Sequence, residues 1–216
     1  MKSLSLNIRK LFFNDKCSFC EKKLKEYENY ICFNCLAILK KKAYIKDMGN
    51  LYYFFYYEDL KNIIWDFKFK NRRYICEDLG YIFEDKIKTL VKELNIQVII
   101  PVPISVKKEN KRGFNQVDEL LKSCNIFFEK IKRVKNTKPM FLLKNKKQRE
   151  ENIKKAFSVS VDIENKIVLV VDDIVTTGAT LEEIRRELLK YNPKEIHFLA
   201  ISIAKSYLKK NKKYGV

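Results

Sequence analysis

Ile167-Val168-Leu169-Val170-Val171-Asp172-Asp173-Ile174-Val175-Thr176-Thr177-Gly178-Ala179-Thr180-Leu181 is the stretch that decides the fold. Residues 167–171 are apolar without interruption, and Ile167, Val168, Val170 and Val171 are β-branched. That composition predicts a central parallel strand covered on both faces. Asp172 and Asp173 follow at its carboxyl end, where they are expected to face solvent. Val175, Thr176, Thr177, Gly178, Ala179 and Thr180 then supply backbone N–H groups, hydroxyls and a glycine free to take positive φ just before a helix. This is the chemistry that holds a phosphate. Two carboxylates beside a phosphate cradle suit a phosphorylated sugar diol, with a divalent cation offsetting the crowded negative charge. A plain strand-turn-helix junction would use the same residue types.

Working outward, the apolar stripe Phe83, Ile87, Leu90, Val91 and Leu94 predicts a helix closed by Asn95, and Val98-Ile99-Ile100 a strand. With the opening strand this makes a βαβ rhythm. Pro101-Val102-Pro103 stops the second strand, and Lys107, Lys108 and Lys111 make the following segment basic. Loops at strand carboxyl ends are where α/β folds bind ligands. Arg112 can hold a phosphate bidentately, and Asn115 and Gln116 an anion or a base edge. A basic helix entry without a ligand reads the same way. Gly113 stands before a helix marked by Val117, Leu120, Leu121 and Cys124, so a backbone reason is expected for it.

Between Phe128 and Ala156 runs a polar, Lys-rich excursion containing Arg133, Lys135, Thr137, Gln148, Arg149 and Asn152. Its length predicts an arm or lid. Downstream, Leu181, Ile184, Leu188 and Leu189 mark a helix ended by Asn192-Pro193, and 196–204 a last strand carrying His197, the only histidine. That histidine reads as an ordinary strand residue.

Upstream, Cys17-Ser18-Phe19-Cys20 and Cys32-Phe33-Asn34-Cys35 make two C-x2-C knuckles. Four thiolates so spaced can surround Zn2+ tetrahedrally, and with no position left open the metal would be structural. Disulfides or a metal-free knuckle are the alternatives, the first disfavoured in a reducing compartment. Cys76 and Cys124 fall within amphipathic patterns and read as core. Residues 36–46 read as a short helix or linker, and Gly49-Asn50 as a break. The expected division is 1–48, a zinc-knuckle domain with its linker, and 49–216, an α/β domain. Residues 51–57 read as a hairpin or edge strand, and Leu60, Ile63, Ile64 and Phe67 as the face of a helix. Aromatics beside Lys68 and Lys70 could also stack bases.

The net charge of +18, from 45 basic and 27 acidic side chains, favours polyanionic partners such as nucleic acid, although a lysine-rich solvated surface looks the same. Asn7, Arg9 and Lys10 interrupt the first apolar residues too early for a signal-peptide core, and no run of about 18 apolar residues suggests a membrane span. A cytoplasmic protein is the expectation.

These pieces together resemble the ComF family. The resemblance rests on the four-cysteine knuckle, the Tyr/Phe-rich strand leading to Phe67-Lys68-Phe69, Pro101-Val102-Pro103, Arg112-Gly113-Phe114-Asn115-Gln116, Arg149 with Asn152 before Ala156-Phe157, and residues 171–180. Met140 after Lys138-Pro139, and the Ser-Phe filling of the first knuckle, depart from the usual pattern. The resemblance implies a type I phosphoribosyltransferase-like parallel sheet flanked by helices, behind a small zinc-ribbon-like domain. It implies that Asp172 and Asp173 hold the ribose hydroxyls of 5-phosphoribosyl-1-pyrophosphate (PRPP), and that residues 175–180 hold its 5′-phosphate. Pro101 to Lys107 would correspond roughly to the pyrophosphate-binding loop, with Pro101, Val102 and Arg112 among the ligand-binding residues and Mg2+ bridging diphosphate and ribose. It further implies a role in natural competence, with single-stranded DNA and a competence DNA helicase as partners. Lys107, Lys108, Lys111, Arg112 and Arg149 are the candidate DNA contacts. The alternative is an active phosphoribosyltransferase using an unidentified nucleobase or related acceptor.

Overall fold

The computed structural model describes residues 16–70, 72–135 and 146–211. Thr137, Lys138, Pro139 and Met140 lie outside the described residues, and of Arg149 only its place on a helix is described.

Strand β6 (Ile167–Val175) lies inside a five-stranded sheet, between two parallel neighbours. On one side it pairs with β3 (Val98–Pro101), Val98 opposite Val168 and Pro101 opposite Val171. On the other it pairs with β7 (Glu195–Ile203), from Ile167 opposite Glu195 to Val175 opposite Ile203. Pairing with β7 carries the strand past the apolar run, so Asp172 and Asp173 belong to the strand and are half-buried, not turned out to solvent as the sequence suggested. Strand β2 (Leu51–Tyr56) pairs in parallel with β7 and antiparallel with the two-residue β1 (Lys46–Asp47), giving the order β1-β2-β7-β6-β3. The aromatic run therefore makes the expected hairpin, with Gly49 at φ +77° in its turn, but is not the edge; β1 takes that place.

Alternation along the strands explains why the central ones read as unbroken apolar runs: successive side chains enter different cores. Tyr52, Phe54, Ile99, Leu169, Val171, Leu199 and Ile201 point into one core, shared with helices α2 (Tyr57–Phe69), α3 (Ile75–Glu93) and α5 (Gln116–Ser123). Leu51, Tyr53, Val98, Ile100, Val168, Val170 and Phe198 point into the other, shared with α7 (Ala179–Leu188) and with Tyr207 and Leu208 of α8 (Lys205–Asn211). Cys76 and Cys124 are buried in the first core and His197 is buried on its strand, where Nε2 lies 3.0 Å from Glu195 Oε2.

The knuckle packs on the first core. Cys17, Ile31, Cys35, Leu36 and Leu39, the last three from helix α1 (Phe33–Lys42), share it with Ile63, Ile75, Leu79 and Phe83. Polar contacts fix the junction. Arg72 Nη1 donates to Ser18 Oγ (2.9 Å) and Asp66 Oδ2 (2.8 Å), and buried Asp78 accepts the backbone N–H groups of Tyr30 (3.0 Å) and Ile31 (2.9 Å).

The basic excursion is closed at its base by an antiparallel pair, β4 (Lys132–Arg133) with β5 (Phe157–Ser158). Its returning side, α6 (Lys146–Ile153) to β5, is anchored on the second core through Ile153, Ala156 and Phe157. Among the described residues no helix is long and apolar enough to cross a membrane.

Candidate functional site

Strands β3 and β6 end side by side, and Val102 N–H continues their ladder to Val171 C=O at 2.8 Å. Pro101 and Val102 are buried, so what they offer a ligand is backbone. The chain then enters α4 (Val106–Arg112), which ends on Gly113 at φ +77° with its N–H on Glu109 C=O. This left-handed cap is the backbone reason expected for that glycine. Asn115 caps α5: its Oδ1 accepts Val117 N–H (3.1 Å) and its Nδ2 donates to Val102 C=O (3.1 Å). Asn115 is thus a strut between α5 and the strand-end segment. Gln116 is buried, and its Oε1 accepts from Arg112 Nη1 at 2.9 Å. The Asn115 side chain thus serves the scaffold, whereas Gln116 pairs with Arg112 through Oε1 and its buried Nε2 has no partner among the described residues.

The helical period splits the basic segment. Lys108 and Arg112, four apart, are half-buried toward the carboxylates, while Lys107 and Lys111 are exposed. Lys68, in the last turn of α2, places Nζ 2.9 Å from each carboxylate oxygen of Asp173. Asp172 Oδ1 accepts Asp173 N–H at 2.8 Å. Burial, and then the charge of Asp173, push the Asp172 carboxyl up to about 7 against the opposing pull of Lys68 and Lys108. Burial also lowers Lys108, as do its neighbours Arg133, Arg112 and Lys68, with Asp173 opposing. Arg112 and Arg133 are likewise lowered by burial, with Asp173 holding the first up and Asp172 the second. Arg133 Nη1 also reaches Pro103 C=O at 3.3 Å. Two carboxylates are thus ringed by four cations from α2, α4 and β4, at the strand ends where α/β sheets bind ligands.

Beyond β6, Thr176 is exposed, Thr177 and Thr180 are half-buried, and Gly178 precedes α7 at φ +77°. A Cβ on Gly178 would come within 2.7 Å of Tyr207 Cε2, so both conformation and space demand glycine there. Val175 and Ala179 are buried and can contribute backbone alone; the C=O of Val175 is already taken by Ala204 N–H at 2.8 Å.

Sequence reading missed Lys68 and Arg133 as members of this site. Lys68 sits 105 residues from Asp173, and spacing along the chain carries no trace of that meeting. It also missed Trp65 and Phe69 as a specific pair: one helical turn apart on α2, they are 52% and 56% exposed with ring centroids 4.4 Å apart. Arg112 lies over Phe69 at 5.5 Å, which joins this aromatic face to the carboxylate site.

In the knuckle the four Sγ atoms of Cys17, Cys20, Cys32 and Cys35 all lie within 4.8 Å of one another, with Cys20 and Cys32 at 3.8 Å. Tetrahedral Zn–S bonds of about 2.3 Å separate sulfurs by roughly 3.8 Å, so the cluster fits zinc closely. Phe19 and Cys32 N–H groups donate to Cys17 Sγ at 3.4 and 3.3 Å, as suits a ligating thiolate. Burial, reinforced by the adjoining thiols, raises Cys35, and burial raises Cys32; a bound cation would supply the charge that lets such crowded thiols ionise.

The phosphoribosyl transferase domain family matches residues 111–216. Competence protein F of Haemophilus influenzae is 28% identical over 227 residues, covering 89% of this chain and 99% of that protein. Competence protein ComFC of Bacillus subtilis is 26% identical, covering 81% and 78%. DNA utilization protein YhgH of Escherichia coli K12 is 28% identical over a shorter stretch, 62% of this chain and 63% of that protein. The similarity spans nearly all of competence protein F and most of ComFC, and not the transferase half alone, so along its length this chain is similar to these competence proteins and not only to phosphoribosyltransferases at large.

Proposed function

We propose that this chain is a PRPP-binding, phosphoribosyltransferase-like accessory protein of natural competence, handling single-stranded DNA in the cytoplasm with a helicase partner. The observation that carries the ligand is the meeting of Asp172 and Asp173 with Lys68, Lys108, Arg112 and Arg133 beside the Thr176-Thr177-Gly178 turn. Carboxylates accept hydrogen bonds from a ribose diol, the turn and the start of α7 offer N–H groups to a 5′-phosphate, and the cations suit a diphosphate. Any Mg2+ would travel on the diphosphate, since Asp173 is already held by Lys68. The DNA half of the reading is supported by the names of the relatives, the net charge of +18 and the exposed Trp65–Phe69 pair, with Arg112 over Phe69.

The test is calorimetric titration of the zinc-loaded protein with PRPP in Mg2+ buffer, wild type against Asp172→Asn/Asp173→Asn. Saturable binding weakened by about tenfold or more in the double variant is expected, the loss of two or more charged hydrogen bonds. Equal binding by both proteins, or none by either, defeats the reading. An active transferase is the second reading, favoured by the intact carboxylate pair. Pyrophosphate loss from PRPP builds oxocarbenium character on the ribose, which enclosed charges stabilise without a protein nucleophile. That reading requires acceptor-dependent pyrophosphate release, and fails if a broad panel of nucleobases yields none while PRPP binds.

A further inference from the structure

A divalent cation is expected beside paired carboxylates that take a phosphorylated sugar, yet the side chains around Asp172 and Asp173 do not suit one. Lys68 Nζ already bridges both oxygens of Asp173 at 2.9 Å, and the two side chains are only 16% and 19% exposed. Asp172 Oδ1 is taken by Asp173 N–H at 2.8 Å. Lys108 and Arg112 also act on Asp173, and Arg133 acts on Asp172. An entering divalent ion would have to displace an ammonium from an enclosed pair and then sit among three further cations, where poor screening makes like charges repel strongly. Helix α2 fixes the lysine: Phe67 beside it is buried in the first core and ties the last turn in place.

We propose that Lys68 is the resident counter-ion of the Asp172–Asp173 pair, a positioning residue standing where a divalent metal would otherwise bind, so that the site takes its phosphorylated sugar without metal. The ammonium neutralises Asp173 while leaving Asp172 and the lone pairs that face away from it to accept ligand hydroxyls. Choice of PRPP as ligand rests on the proposed function; exclusion of metal does not.

Two titrations test it, both on zinc-loaded protein in buffer cleared of divalent ions by chelating resin. The first uses Mn2+ alone, followed by electron paramagnetic resonance. Lys68→Met should bind Mn2+ about tenfold or more tighter than wild type, the effect of removing one adjacent positive charge. Adding Asp173→Asn should remove the gain, and Lys68→Arg, which keeps the charge, should exclude Mn2+ as wild type does. Equal Mn2+ affinity in wild type and Lys68→Met, whether measurable or not, overturns the proposal. The second titrates PRPP with and without Mg2+. Wild type should bind within about threefold under both conditions, whereas Lys68→Met should lose about tenfold without Mg2+ and regain it with Mg2+. Wild-type binding that depends on Mg2+ also overturns the proposal. Failure of PRPP to bind any of these proteins rejects PRPP as the ligand, and the manganese titration then decides the role of Lys68 by itself.

Discussion

Asp172 shows the cost a binding site imposes on its own fold. Its carboxyl sits at about 7, raised by burial and by Asp173, against roughly 3.9 in an unfolded chain. The folded state therefore holds this proton more tightly than the unfolded state. That contributes stability below about pH 4, which is lost as pH rises through about 7. Asp172→Asn cannot ionise, so it should be more stable than wild type above neutrality by on the order of 2 kcal/mol, with the advantage fading toward pH 4. Urea midpoints across that range measure it, and a difference that ignores pH would disprove the account. Gly178 makes a separate case. Alanine there meets both a φ of +77° and Tyr207 Cε2 at 2.7 Å, and should cost about 2–3 kcal/mol. Combining it with Tyr207→Ala should recover the part due to the clash, leaving about 1 kcal/mol of backbone strain. Wild-type stability in Gly178→Ala would mean that neither constraint operates.

Among the elements, α3 joins the two halves of the chain, and Asp78 is how it does so. The carboxylate is buried and accepts two consecutive N–H groups of the knuckle, at Tyr30 and Ile31, with Asn29 Nδ2 at 3.4 Å. Burial raises it to about 6 although those bonds pull down. Asp78→Ala would strand the buried Ile31 N–H and the half-buried Tyr30 N–H and should cost about 2–4 kcal/mol. Because Ile31 and Cys32 are adjacent, the same change should hasten zinc loss to a colorimetric chelator, by about tenfold if half of that cost falls on the knuckle. An unchanged release rate would show that the knuckle holds metal independently of α3. Asp78 was not legible in the sequence, for a reason that applies widely here. Patterns within one element were readable: the apolar run of β6, the glycine before α7, the stripe of α3, the two cysteine pairs. Partners chosen across the fold were not. Strand β2 reads as an edge until β1 is seen beside it, and β6 reads as ending at Val171 until its ladder with β7 is followed to Val175. The ring of cations around Asp172 and Asp173 comes from three elements that only the folded sheet brings together.

For the molecule as a whole the question is whether a charge of +18 is a solvated lysine surface or a nucleic-acid footprint. Charge alone cannot separate the two, but the Trp65–Phe69 pair can. Two large aromatics, each more than half exposed at neighbouring positions on a helix whose other face carries Leu60, Ile63, Ile64 and Phe67 into the core, are not needed for folding. They lie between the knuckle, where a cavity of about 230 Å³ is lined by Lys16, Glu21, Trp65, Lys70 and Arg72 with Asp66 pairing the last two, and the carboxylate site, reached through Arg112 over Phe69. A single strand laid along this path would stack bases on the rings and set phosphates against the cations. The two contributions separate by salt. Trp65→Ala should weaken binding of a labelled oligothymidylate by about 1–3 kcal/mol and leave the slope of log affinity against log salt unchanged. Neutralising Lys70 or Lys111 should instead make that slope shallower by about 0.7 for each phosphate that is no longer paired. Trp65 is the single tryptophan of the chain, so its fluorescence reports directly on stacking. Quenching that saturates with the anisotropy of the labelled strand is expected. Saturable binding that leaves Trp65 emission untouched would put the strand elsewhere, and would return the exposed pair to an ordinary surface feature.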